Sequence, residues 1–420
     1  MSNLIVVREA FDWLEAAPNH SFTFEDMQEL IRYMDQLYPG KNWMEIGYKR
    51  VRFINVVGTI RLSKVQIDII PKLNLDSKLD DHSALTNMLT TCGHVPYKVG
   101  YTKASVQESQ MDLLTWIADS FCTELQEQLK RGLPNDYMTV GENTTKLKGK
   151  IHVAAHIRHN LADRSKVYCI YDERNYTVPL NLIFYKTLLV LKQTVYEPTL
   201  RKTIIHLCGY YEGLTLPSKM KHIIEQVRFD RQTARFEKAF RLAKLILSNM
   251  SVMNQGVGEE SLSFLFEVNI LYETYIGKVL SDLLLSENAI VRLQHKEMKL
   301  LKNDDTKKDN VQLIPDIVVG HADKDGHIKW SMIMDTKWKL SRYQQNDIYQ
   351  MYAYVTGYSD ATRAILLYPQ TNDTTNLSTS QNWSLNGNSA KRIHIRTIRI
   401  GNIEETKEDL RGILLEFGVM

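Results

Sequence analysis

The chain has 420 residues, with 52 Lys and Arg against 49 Asp and Glu and a net charge of +3. That length points to two or three domains, and 44% hydrophobic with 24% charged residues is the composition of a folded globular protein. So small a charge demands no polyanionic partner, so any nucleic-acid surface must be a local patch; no apolar run nears the ~20 residues of a membrane span.

Met1 to Glu15 carries Arg8, Glu9, Asp12 and Glu15, which breaks up the apolar core that a signal peptide needs. Ser21 to Tyr38 reads as a short helix with Thr23 as its cap. Lys49 to Leu73 reads as two or more strands. In the last of them Gln66 and Asp68 alternate with Val65, Ile67 and Ile69, the pattern of a half-buried strand. From Leu85 to about Arg131 the period becomes helical, with Leu113, Leu114, Ile117, Phe121 and Leu125 on one face. Pro134 to Ile151 is polar and contains glycine, so it reads as loop and short strand. His152, His156 and His159 lie close together, but no carboxylate or cysteine pattern supports a metal site there. Leu180 to Tyr196 reads as a buried helix.

The segment 219–244 is the densest basic stretch. Arg228, Arg231, Arg235, Lys238 and Arg241 recur at three- and four-residue steps, so they are expected to form one helical stripe able to track a phosphate backbone. The competing reading is a solvated face. The four cysteines, Cys92, Cys122, Cys169 and Cys208, are scattered and form no zinc pattern. They suit reduced thiols in a cytoplasmic protein. No G-x-x-x-x-G-K-[ST] occurs, so the chain is expected to bind no nucleotide by itself.

The most informative stretch is Ile314-Pro315-Asp316-Ile317-Val318-Val319, followed by Met332-Ile333-Met334-Asp335-Thr336-Lys337-Trp338-Lys339. Both read as short apolar strands joined through His321 to His327, in which Asp325-Gly326 favours a tight hairpin. With those two residues as the turn, Lys324 pairs with His327 and the paired numbers sum to 651. Asp316 and Asp335 then lie directly opposite each other, an arrangement that like charges disfavour. A divalent cation, Mg²⁺ or Mn²⁺, removes the objection, because hard cations take carboxylate oxygens. Lys337 lies two residues beyond Asp335 and points to the same face.

Before the hairpin, Leu262 to Leu284 reads as an amphipathic helix with Glu273 in its middle. After it, a helix begins near Asn346, read as its cap, and places Gln350 and Tyr354 on one face. Ala364 to Tyr368 reads as a buried strand, Gln370 to Ala390 as a polar surface loop, Arg392 to Ile400 as a strand and Glu404 to Phe417 as a closing helix.

The C-terminal part resembles the McrC family, the nuclease subunits of McrBC-type modification-dependent restriction systems. The matching segments are Phe266 to Glu273, Pro315 to Val318, Asp335 to Lys339, Asp347 to Tyr354 and Leu366 to Pro369. Weaker likeness begins near residue 50. The resemblance implies a multidomain α/β (α+β) chain: a β-rich N-terminal domain over 1–100, a mostly helical middle over 101–255, and a PD-(D/E)xK nuclease domain over 256–420 whose mixed sheet is flanked by helices. It implies Asp316, Asp335 and Lys337 as the catalytic triplet, supported by Glu273 and Gln350. Asp316, Asp335, Glu273 and the Thr336 carbonyl are expected to hold the metal. It further implies double-stranded, methylated DNA as substrate and a separate McrB-like AAA+ GTPase hexamer as motor, docked against the N-terminal segment. Two other readings remain open, a RecB-like repair or defence nuclease and a non-catalytic activator of a ring NTPase.

Overall fold

The computed structural model describes residues 3–73, 78–95, 112–162, 165–217, 220–252, 260–285, 287, 289–306, 308–339, 344–371 and 381–419. Part of the expected helical stretch (96–111) and part of the expected polar loop (372–380) lie outside the described residues. None of the described helices is long and apolar enough to cross a membrane.

The chain forms two compact units, Met1–Trp116 with Ser251–Met420, and Ile117–Met250 between them in sequence. This differs from the expected division at 100 and 255, for a reason visible in the strand pairing. Phe264–Glu267 adds to the edge of Val56–Arg61, which pairs in turn with Val65–Ile70 and then Asn3–Arg8. The N-terminal strands therefore close one sheet with a strand that leads directly into the C-terminal part. Ser263 Oγ accepts from the Arg61 N–H beside that seam.

Around this sheet the first unit builds a core from Val7, Phe22, Leu30, Tyr33, Val51, Phe53, Ile60, Ile67 and Ile69. The helix Phe24–Leu37 starts where expected: Thr23 Oγ1 accepts from the Asp26 N–H, and Asp26 accepts from the Thr23 N–H. Val65–Ile70 departs from the half-buried expectation, because all six of its residues are buried. Asp68 is tolerated there because Thr59 Oγ1 and Gln66 Nε2 both donate to it, 2.6 and 3.3 Å away, which offsets the desolvation of a buried charge.

The C-terminal part carries a six-stranded mixed sheet in the order Ala289–Leu293, Ile317–Ala322, Ile328–Thr336, Arg363–Pro369, Asn388–Ile398, Gln381–Leu385. The two junctions that Arg363–Pro369 makes, with Ile328–Thr336 and with Asn388–Ile398, are parallel and the other three antiparallel. Residues 381–390, expected as loop, instead form an edge hairpin in which Gln381–Leu385 pairs with Asn388–Ile398. The helix Gln345–Gly357 covers one face with Met351, Tyr354 and Val355 against Val318, Ile333, Ala364 and Leu366. Its cap is Gln344 rather than Asn346, since Asp347 reaches back to the Gln344 N–H. The helix expected from Leu262 begins only at Val268, the residues before it being spent on strands.

The second unit combines the buried helix Pro179–Thr194 and helices Pro198–Gly209 and Glu237–Ser248 with a three-stranded antiparallel sheet. Asp136–Thr144, expected as loop and short strand, is a nine-residue strand paired along its length with Val167–Asn175. Its polar sequence masked it, because most of its side chains face solvent.

Candidate active site

The site is built on the hairpin of Ile317–Ala322 and Ile328–Thr336. Its turn is one residue longer than expected: Asp323 N–H donates to the His327 carbonyl, leaving Lys324, Asp325 and Gly326 in the loop. Gly326 sits at φ +82°, the left-handed position a three-residue hairpin loop requires. Pairs next to the turn, such as His321 with Lys329, are thus displaced by one from the predicted register. A β-bulge between Val319 and Gly320 takes up one extra residue, and Val319 pairs with Met332 and Ile317 with Met334. At the functional end the register is therefore the predicted one, reached by two offsets that cancel. Gly320 suits the bulge because an added Cβ would lie 2.4 Å from the Lys329 carbonyl oxygen.

Asp316 and Asp335 meet at this end, where the antiparallel hairpin adjoins the parallel strand Arg363–Pro369. Asp316 Oδ2 accepts from the Thr336 N–H at 2.7 Å and its hydroxyl at 2.8 Å. Lys337 Nζ stands 2.5 Å from Asp335 Oδ2 as an ion pair and donates to Gln350 Oε1 at 2.9 Å. Gln350 Nε2 donates to the Tyr354 hydroxyl, which donates to the Ile314 carbonyl, each at 2.8 Å. A continuous chain of polar contacts thus runs from Asp335 through Lys337, Gln350 and Tyr354 to the segment that precedes Asp316.

Asp335 is almost fully buried. Burial first, then the Asp316 and Asp347 charges, push its carboxyl well above the usual range, against the pull of Lys337. Burial likewise raises Asp316, although Thr336 and Lys337 oppose it. Glu273, on the helix Val268–Leu283, is raised by burial and by Asp316, and Gln294 Nε2 donates to its Oε1 at 2.5 Å. The Asp316 charge thus bears on both Asp335 and Glu273, in a place where a positive charge would stabilise the ionised forms.

Asp316, Asp335, Lys337 and Gln350 are joined directly or through Thr336, and Glu273 lies within electrostatic reach. Thr336, expected to offer its carbonyl to a metal, gives its N–H and hydroxyl to Asp316. Sequence reasoning missed Gln294 and the pair Lys339–Asp347, in which Lys339 Nζ lies 2.9 Å from both carboxylate oxygens. Lys339, two residues beyond Lys337, was the available signal, since alternation places both on one side of the strand's extension.

The basic stripe does not form as one helical face. The helix Met220–Gln226 ends before Arg228; Arg231 lies in a turn, Arg235 in the 3₁₀ turn Ala234–Phe236, and only Lys238 and Arg241 on Glu237–Ser248. The interruption has a local cause: Asp230 Oδ1 accepts from the N–H groups of Gln232 and Thr233 and from the Thr233 hydroxyl, a turn that competes with the helix. Arg228 donates to the Glu225 and Val227 carbonyls and Arg235 to those of Gln128 and Gly132. Two of the five cations are thus engaged in closing off local structure. The three histidines have local partners too: His152 Nδ1 accepts from the Ala155 N–H, His156 bonds Asn160, and His159 stacks on Tyr168.

A model of the family described as McrBC 5-methylcytosine restriction system component matches residues 51–369, more than half of the chain. Among solved structures the chain is similar to one from a refined half-complex of a tetradecameric assembly of Thermococcus gammatolerans McrB AAA+ hexamers with bound McrC, with a TM-score of 0.77 at 17% identity, covering 98% of this chain and 100% of that one. It is also similar to a chain in the cryo-EM structure of the T. gammatolerans McrBC complex, with a TM-score of 0.55 at 19% identity, covering 67% and 88%. At such identities the likeness shows the fold. No curated protein matches the chain.

Proposed function

Because the chain belongs to the family of McrBC 5-methylcytosine restriction system components, we propose that it is the Mg²⁺-dependent DNA endonuclease subunit of such a system, with a PD-(D/E)xK site. The observation that carries this reading is the convergence of Asp316, Asp335 and Lys337 at one end of the mixed sheet, with Gln350 holding the lysine. The donor set fits a hard divalent cation. Among the described residues no three His, Cys, Asp or Glu side chains form a ready metal cage. Mg²⁺ needs none, because it keeps several waters and commonly binds through one or two carboxylates and substrate phosphates. Asp316 and Asp335 would hold it, with Glu273 on their flank. What a bound Mg²⁺ or Mn²⁺ contributes at such a site is polarisation of the scissile phosphate and a water of lowered pKa.

The residues of the chain do the positioning. Thr336 fixes the Asp316 carboxylate from two donors, leaving its other oxygen for a ligand. Lys337 keeps its ammonium at the carboxylates through Gln350, placed to donate to a phosphate oxygen or to the attacking water. Burial of Asp335 removes the solvent that would weaken these interactions.

The partner reading follows the same line. The solved relatives include McrB AAA+ hexamers with bound McrC, and this chain has no phosphate-binding loop motif of its own. We take its partner to be a McrB-like AAA+ GTPase that moves modified double-stranded DNA while this chain cleaves. The test is a plasmid cleavage assay with Mg²⁺, on methylated and unmethylated DNA, with and without a McrB-like AAA+ GTPase. Cleavage that needs Asp335, methylation and the motor supports the proposal. Undiminished cleavage by an Asp335→Ala protein refutes the site. Motor stimulation without any cleavage identifies a non-catalytic activator instead.

A further inference from the structure

Resting on the nuclease reading, we propose that Glu9, near the N-terminus, is a positioning residue for Lys337 and acts through Trp338. Glu9 is completely buried, and a buried carboxylate is costly unless several donors satisfy it. Three do. Trp338 Nε1–H donates to Oε1 at 2.6 Å, Lys72 Nζ stands 3.3 Å from the same oxygen, and the Asn55 N–H donates to Oε2 at 3.3 Å. Glu9 itself is fixed by its N–H, which donates to the carbonyl of Ile70, the last residue of the strand Val65–Ile70. The carboxylate is thus held by the N-terminal sheet and its surroundings and presented to one indole.

That indole belongs to the residue after Lys337. The strand Ile328–Thr336 ends at this point, and its last tie to the sheet is the Lys337 N–H donated to the Leu367 carbonyl. Beyond that bond the ladder no longer fixes the backbone, and Trp338 takes over. Its ring is buried, lies edge-on to Tyr272 with centroids 5.4 Å apart, and its only donor points at Glu9. Tyr272 is the neighbour of Glu273 on the helix Val268–Leu283. Clamped from both sides, Trp338 sets the direction in which the Lys337 side chain leaves the strand, and so keeps its Nζ between Asp335 and Gln350. Glu9 touches none of the reacting groups; its effect on them passes through the indole.

The experiment uses the full-length protein with its motor, methylated plasmid and Mg²⁺, and compares Glu9→Ala, Glu9→Gln, Trp338→Phe and the Glu9→Ala/Trp338→Phe double variant. Glu9→Ala is expected to lower the cleavage rate constant roughly ten- to hundredfold, the scale of a small displacement of a catalytic group, with DNA affinity and Mn²⁺ affinity changed less than about twofold. Glu9→Gln keeps an acceptor for the indole and should recover most of the rate. Trp338→Phe should lose about as much as Glu9→Ala, and the double variant no more than either, because both act through one hydrogen bond. A merely structural role would instead lower the unfolding midpoint and the DNA and Mn²⁺ affinities along with the rate, and leave Gln no better than Ala. Should Glu9→Ala fail to fold, the Gln variant and Trp338→Phe still decide: equal, full wild-type rates in both would overturn the proposal. The indole N–H resonance assigned to Trp338 should move in Glu9→Ala and nearly return in Glu9→Gln. An unmoved resonance overturns the hydrogen bond itself. Wild-type protein that cleaves nothing would instead sink the nuclease reading, a distinct outcome.

Discussion

Lys337→Ala should abolish cleavage, by roughly 10³-fold or more as for groups that act as one unit, while leaving partner binding close to wild type, since the lysine head contacts Asp335 and Gln350 within the site. Asp335 offers a second test that does not require turnover. Burial raises the carboxyls of Asp335, Asp316 and Glu273. A carboxyl whose folded pKa exceeds its unfolded value binds its proton more tightly in the folded protein. Its contribution therefore favours folding at low pH and is lost as pH rises through the ordinary carboxylate range toward neutrality. A divalent cation replaces the missing proton, so Mg²⁺ should raise the melting temperature more at pH 8 than at pH 5, and Asp335→Asn should shrink that difference. Equal Mg²⁺ effects at both pH values would count against a carboxylate metal site. Asp316, Asp335 and Lys337 were legible in the sequence because charges inside apolar strands are conspicuous. Glu9 was not: it is one acidic residue among many, and its partner Trp338 lies 329 positions away.

At the scale of the element, the hairpin shows how a correct register can rest on a wrong turn. Periodicity and Asp325-Gly326 marked both strands, yet the three-residue loop and the bulge at Val319/Gly320 each move the ladder by one, in opposite senses. Neither offset is visible in the chain's polarity pattern, because a bulge spends one residue without a pairing signal. The prediction at this scale concerns Gly320. Its Cβ would meet the Lys329 backbone oxygen at 2.4 Å, so Gly320→Val must push the strands apart or slide them. It should cost about 1–3 kcal/mol in denaturant unfolding, the range for overpacked sites, and reduce cleavage although residue 320 lies outside the site. Unaltered stability and cleavage in Gly320→Val would show that the bulge yields freely and that register at Asp335 is held from the parallel strand Arg363–Pro369 instead. The basic segment went the other way. Its three- and four-residue spacing is helical, but one aspartate with a threonine three positions on was enough to replace helix by turn.

For the whole molecule, the sequence order hides that the N-terminal strands and the C-terminal part are one compact unit. Strand Val56–Arg61 pairs with Phe264–Glu267, a contact across some two hundred residues that no local pattern announces. Removing residues 1–100 would strip three strands from a shared sheet and leave Trp338 without Glu9, so such a truncation reports on folding and not on motor docking. The docking surface is better sought among exposed apolar side chains, which single soluble domains seldom cluster without use. The second unit carries Tyr137, Met138, Leu147, Ile151, Val153, Ile157 and Leu161 exposed, all on its small sheet, the following helix Val153–Asn160 and their margins. The N-terminal segment, expected from sequence to dock the motor, exposes Leu4, Phe11 and Leu37 singly, and Ile46 with Tyr48 on the hairpin of Met44–Gly47 and Arg50–Phe53. If the AAA+ ring is engaged by the second unit, Leu147→Asp with Ile157→Asp should lower the motor's stimulated GTP turnover at least about tenfold, near 1.4 kcal/mol or more of lost contact, without moving the unfolding midpoint. Ile46→Asp with Tyr48→Asp should leave stimulation intact. The reverse pattern, measured as steady-state GTP hydrolysis against concentration of each variant, would return the docking surface to the N-terminal strands. The expected pattern follows from burial: the faces of Val56–Arg61 and Val65–Ile70 are already consumed in the core of their own unit.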